Sequence, residues 1–149
     1  MELQKIEKII EEKLGQLSIT FDQVNLQDDD INYYLEIEAK NFIEELRDVG
    51  KIPVLMYINV KKETITIFCT NLYKKCEKES IIKTMNVINS VNNAITYGKL
   101  FLNKTGTVIY QNTFQVSEAD KLDTYISAFV IAVWIFYCEM KKYEEKNIE

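Results

Sequence analysis

Cys69 and Cys76 come closest to a reactive arrangement, because Lys74, Lys75 and Lys78 lie around the second of them and nearby ammonium groups lower a thiol's pKa. A thiolate or hydroxyl nucleophile usually works beside an imidazole base. The chain has no histidine, so Ser-His-Asp and Cys-His arrangements, HExxH zinc sites and imidazole pH switches are all excluded. The thiols are left with redox sensing, and no catalytic residue is expected. Asp28-Asp29-Asp30 lacks the glycine and the terminal glutamate of a calcium loop and reads as a solvated connection, so no metal site is expected. Glu11-Glu12 and Glu44-Glu45 are adjacent in sequence and diverge on a helix, whereas a carboxylate-based hydrolase would need two carboxyls about 5–9 Å apart in a pocket. The four glycines form neither GxxxxGK[ST] nor GxGxxG, so no nucleotide cofactor is indicated. Asn89 and Asn92 lie three apart, where both could face a neighbouring hairpin and bond its exposed backbone groups; a structural role outweighs ligand binding.

These residues sit in a chain of 149, enough for a single domain over residues 1–149 with its own core. Hydrophobic residues are 47% and charged residues 28%, a globular balance that excludes disordered and fibrous classes. Eighteen basic residues stand against 23 acidic ones, net charge -5, and Arg47 is the sole arginine able to fork onto phosphate or guanine, so nucleic acid is not an expected partner. Three cysteines without a CxxC pair fit reduced thiols in the cytoplasm. The charged opening from Met1 to Gly15 is unlike a secretory signal. The longest apolar run, Tyr125 to Cys138, would rise only about 21 Å as a helix, short of the roughly 30 Å of a bilayer core, so no membrane partner is expected.

Periodicity supplies the elements. Leu3, Ile6, Ile9 or Ile10, Leu14 and Leu17 predict a helix over 2–17 ending near Gly15. Ser18 to Asp30 reads as a polar connection. Ile31 to Ala39 alternates like a strand, and Ala39 to Val49 steps like a short helix or irregular excursion that Gly50 stops. Ile52–Val60 and Thr64–Thr70 are β-branched and aromatic, with Lys61-Lys62-Glu63 between them, and predict an antiparallel hairpin. Ile81, Met85, Ile88, Val91 or Asn92, and Ile95 define a helix over 79–95. Lys99–Asn103 and Thr107–Gln111 form a second hairpin around Gly106, and Ser117 with Asp120 resembles a capping box opening a helix over 117–145. The order α-β-β-β-α-β-β-α without βαβ alternation is α+β: an antiparallel sheet of about five strands with flanking helices.

The segment Val87-Ile88-Asn89-Ser90-Val91-Asn92, then Tyr97-Gly98-Lys99-Leu100-Phe101-Leu102-Asn103, then Gly106-Thr107-Val108-Ile109-Tyr110 resembles the signature of the YbjN family: a helix ending in NxxN, a G-K/R-F-x-L-D strand, a glycine turn and an answering strand. The likeness covers roughly residues 80 to 140. Leu100-Phe101 stands where the family has its aromatic directly after the basic residue, and Asn103 where it has Asp. The resemblance implies a type III secretion chaperone-like fold and a part in sensory transduction regulation, with no defined enzymatic activity.

The final helix carries two apolar stripes. Leu122, Ile126, Phe129, Val133, Phe136 and Met140 form the natural core face, while Val130, Trp134 and Tyr137 run displaced around the helix, with Ala128, Ile131 and Ile135 between. Either sheet and first helix enclose it, or Val130, Trp134 and Tyr137 belong to a homodimer or partner-binding patch, for which Trp and Tyr are favoured anchors. The function expected is a non-enzymatic, homodimeric protein-binding domain that offers an apolar helix and sheet surface to another polypeptide. The alternatives are an acidic immunity-type protein steered to a basic partner and, less favoured, a carboxylate-based hydrolase.

Overall fold

The computed structural model describes residues 3–24, 30–73 and 81–146. Ile6, Ile10 and Leu14 recur every four residues and are buried along one side of helix α1, Leu3–Gln16. Its end is made by the Leu17, Ser18 and Ile19 amides, which bond back to the Lys13, Gly15 and Leu14 carbonyls, with Ser18 at φ 56. Next comes β1, Thr20–Val24, in the segment that the sequence presents as a polar connection. This strand pairs antiparallel along β2, Ile31–Glu38, with Phe21 opposite Leu35. The sheet therefore gains one strand over the expected order, at its edge.

Two 3-10 turns, Ala39–Asn41 and Glu44–Leu46, fill the predicted excursion. Gly50, at φ 75, returns the chain to β3, Lys51–Asn59. β3 and β4, Thr64–Tyr73, form the expected hairpin around Lys61-Lys62-Glu63, with Asn59 Oδ1 accepting the Lys62 N–H at 3.1 Å. Helix α2, Ile81–Ala94, follows, then the hairpin of β5, Lys99–Leu102, and β6, Val108–Gln115. The six strands are antiparallel throughout, in the order β1-β2-β3-β4-β6-β5. β6 thus lies inside β5 and pairs with β4.

Val116–Lys121 is a 3-10 segment, and the continuous helix α3 begins only at Leu122 and runs to Lys146. The capping box expected from Ser117 and Asp120 is not formed, because the turn starts after Gln115 and makes no side-chain cap bond; the Val116 amide reaches across to the Glu63 carbonyl at 2.9 Å instead.

All three helices cover one face of the sheet, with α3 between α1 and α2. Lys13 Nζ meets Asp123 at 3.8 Å on one flank, and Lys83 Nζ lies over the Tyr143 ring, 5.7 Å from its centre, on the other. The inner face of the sheet supplies Tyr33, Leu35, Ile37, Val54, Met56, Ile58, Ile65, Ile67, Tyr110 and Phe114, all buried. By length and composition Val116–Tyr143 would suffice to cross a bilayer. Here Leu122, Ile126, Phe129, Val130, Val133 and Phe136 are fully buried against sheet and helices, so tertiary packing absorbs much of that apolar run. The open face of the sheet is mixed: Leu55 stands opposite Phe68 and Tyr57 opposite Thr66, while the Thr66 and Thr113 hydroxyls bond at 2.9 Å.

Candidate functional site

The stripe Val130, Trp134 and Tyr137 does not form one open surface. Val130 is fully buried. Tyr137 is half-buried, donates its hydroxyl to the Leu72 carbonyl at 3.2 Å and meets Phe136 edge-on. Of the three, Trp134 alone is exposed, at 38%. The physical reason is the position of α3: with sheet beneath and a helix on each side, its covered arc is wider than a single stripe.

What remains outward is a narrower ridge of Thr124, Ser127, Ile131, Trp134 and Cys138, spaced by three and four residues, with Ala128 and Ile135 half-buried beside it. Ile131 is 44% exposed, so two large apolar side chains stand next to each other in water. Neither Ile131 nor Tyr97 is singled out as a contact residue by the sequence, although Thr124, Ser127 and Lys142 on the same helical face mark it as the solvent side.

Beside the first half of the ridge runs a groove of about 440 Å³, walled by Ala94 to Tyr97 on one side and by Asp123, Thr124, Ser127, Ala128 and Ile131 on the other. Tyr97, 41% exposed, is its aromatic wall. Its ring meets Tyr125 edge-on with centres 5.2 Å apart, and Tyr125 stacks on Phe114 at 4.0 Å. The Tyr125 hydroxyl donates to Glu118 Oε2 at 2.5 Å; this bond to a carboxylate, helped by burial, pushes its pKa up to about 12. The Tyr97 carbonyl accepts the Tyr110 hydroxyl at 3.2 Å, and burial raises the Tyr110 pKa. Gly98, at φ 75, passes so close to that ring that a Cβ would sit 2.5 Å from Tyr110 Oη. A stacked aromatic column and a glycine thus fix the wall.

α2 is tied to the same region by Asn92, whose Nδ2 donates to the Leu100 carbonyl at 2.9 Å and whose Oδ1 accepts the Leu100 N–H at 2.8 Å. The side chain completes the outer edge of β5 as a strand would, the structural role expected for it. Asn89 is exposed.

The other chemistry-bearing residues are dispersed. Cys69 is buried in the core and Cys138 is exposed on the ridge, while Cys76, Lys74, Lys75 and Lys78 lie outside the described residues. Asp30 accepts the Val60 N–H at 3.2 Å; Asp28 and Asp29 lie outside the described residues. Glu44 and Glu45 are exposed beside Arg47 and Asp48, and Glu12 is exposed on α1. No cluster of three metal-ligating side chains occurs among the described residues. In the groove the one carboxylate, Asp123, faces Lys13, and the rest of the lining is hydroxyl and hydrocarbon. Such a lining can hold an apolar side chain by burial and orient it with a few hydrogen bonds. Compared with known proteins, the chain matches no family model, no curated protein and no solved structure.

Proposed function

We propose that this chain is a non-catalytic, cytoplasmic protein-binding domain of the chaperone-like or regulatory kind suggested by its YbjN resemblance, and that it takes polypeptide partners on apolar surface of α3 and of the open sheet face. The observation that carries this reading is the pair Ile131 and Trp134, exposed together on the helix whose other sides build the core. Leaving such area in water forgoes roughly 25 cal/mol per Å² that a partner would recover. The half-buried Leu55, Tyr57, Phe68 and Phe101 on the uncovered side of the sheet give the second surface the same character.

Affinity capture from the native cytoplasm, read by mass spectrometry, tests the reading with three baits: the parent chain, Ile131→Glu and Leu55→Glu. A specific protein retained by the parent at high salt and lost with one of the variants is the expected result. Capture that collapses as salt rises, and that ignores both variants, would mark an acidic immunity-type protein held by its net charge of -5 instead.

A further inference from the structure

We infer that the notch where β5 stops short of β6 is a binding site for a small monocarboxylate. The site is separate from the apolar surfaces of α3 and of the open sheet face, and does not depend on their reading.

β6 has eight residues and β5 four, so Lys99 opposite Gln111 is the last pair and no strand lies beside residues 112–115 on that side. Gly98, at φ 75, carries the chain off the strand line there, and beside β6 lies a cavity of about 420 Å³ lined by Gly98, Lys99, Gln111, Asn112 and Thr113. The ladder fixes which backbone groups face it. Asn92 holds both the N–H and the C=O of Leu100 from outside, so those of Lys99 and Phe101 turn toward Gln111 and Ile109 on β6. Two residues on, the Thr113 N–H points the same way as that of Gln111, into the notch.

Three donors therefore line one notch. Besides the Thr113 N–H there is Asn112, 8% exposed, whose Nδ2 is buried without an acceptor. A buried donor left unmet is costly, and an acceptor on a ligand removes that cost. An asparagine amide turns readily about its last torsion, so its NH2 can swing to meet a guest. The third donor is Lys99, exposed and in no ion pair among the described residues. No carboxylate lines the notch, and Glu118, beyond the stack of Phe114 on Tyr125, is held by the Tyr125 hydroxyl. One ammonium with neutral donors matches a single negative charge; a phosphate dianion would call for a second cation, and none lines the notch. The volume exceeds what a carboxylate alone fills, and the Gln111 amide with the Thr113 backbone suits an amide or hydroxyl carried next to it.

Titration of the isotope-labelled chain with N-acetylglycine, followed by amide NMR, reads the site. Saturable shifts are expected at Lys99, at Thr113 and at the Asn112 side-chain NH2. N-acetylglycinamide, which lacks the charge, and sodium chloride at the same ionic strength should give none. Asn112→Leu and Lys99→Gln should each weaken binding about tenfold, as loss of a hydrogen bond to a charged group does. Lys104→Gln, at an exposed lysine of the same hairpin, should leave binding unchanged. Asn112→Leu deletes an unmet donor, so its urea midpoint should not fall; if that variant does not fold, Lys99→Gln decides alone. Absence of a saturable shift, equal binding of the uncharged amide, or undiminished binding by Lys99→Gln overturns the proposal. Inorganic phosphate binding more tightly than N-acetylglycine overturns it as well. Capture of a protein through Ile131 or Leu55 is a separate measurement, so this proposal and the protein-binding reading fail independently.

Discussion

Polar groups buried under the helical layer fare with opposite success: Asn112 Nδ2 on β6 has no partner, and the contrast is sharpest between Asn92 and Tyr33. Where α2 meets β5, Asn92 satisfies both backbone groups of Leu100, and the Tyr110 hydroxyl finds the Tyr97 carbonyl. Where α1 meets β2, the Tyr33 hydroxyl is buried without a partner, its ring edge-on to Phe21. Desolvation holds Tyr33 protonated, and the charges of Glu11 and Glu7 on α1 add to that effect. The difference teaches that burial of a polar atom has no fixed sign: an amide that completes a strand edge stabilises, and a hydroxyl that completes nothing costs about 1–3 kcal/mol.

The largest expected effect is at the α2–β5 end. Gly98→Ala must place a Cβ on the Tyr110 ring at positive φ; the backbone alone costs about 1–2 kcal/mol and the overlap adds a comparable amount. Urea unfolding should show a loss of about 3 kcal/mol, and a change below about 1 kcal/mol would mean that the turn relaxes and does not lock the junction. Asn92→Ala comes next, at about 2 kcal/mol, because it orphans the Leu100 N–H and C=O together. Hydrogen exchange at the Leu100 amide should quicken in the same variant; unchanged protection would show that water replaces the side chain at no loss.

Tyr33→Phe should sharpen the comparison by moving the other way. Removing a hydroxyl with no partner, and leaving the ring in place, should gain about 1 kcal/mol in the same unfolding assay. A loss would show that the hydroxyl is solvated in solution.

An alkaline effect unites the two ends. Tyr33, Tyr110 and Tyr125 all have pKa values raised above the unfolded value near 10, Tyr125 to about 12. For a group raised in the folded state, the stabilisation is complete below the unfolded pKa and is lost as pH rises through the folded one. Stability should therefore hold to about pH 10 and fall between there and pH 12. Absorbance of tyrosinate should show these three among nine tyrosines ionising late, with one fewer late step in Tyr125→Phe.

The same physics explains which parts were legible in advance. Ile52–Thr70 and the helices from Leu3, Ile81 and Leu122 carry strong periodicity because each has one face against the core and one in water. β1 escapes that reading because in Thr-Phe-Asp-Gln-Val the positions opposite the core residues Leu35 and Tyr33 are held by Phe21 and by the polar Gln23, and an edge strand needs no second apolar face. The site was half legible. Trp134 is visible as a large aromatic on an unusually apolar helix, but Val130 and Tyr137 look equally outward until the flanking elements are known. Tyr97 was invisible in that role, since its position depends on Gly98, Tyr110 and the stack of Tyr125 on Phe114, contacts made across long stretches of chain.

The strand order has a kinetic consequence. β1 to β4 form a meander of neighbours in sequence, whereas β6 can join β4 only by bringing Gln115 to Thr64 across the whole of α2 and β5. Loop closure over that span must precede its reward, so the meander is the part able to nucleate early, and α3, which needs both halves of the sheet as its floor, is the element that must wait. Until it docks, its apolar length is bare, and the interval between meander and closure is the moment when this chain is most exposed to aggregation.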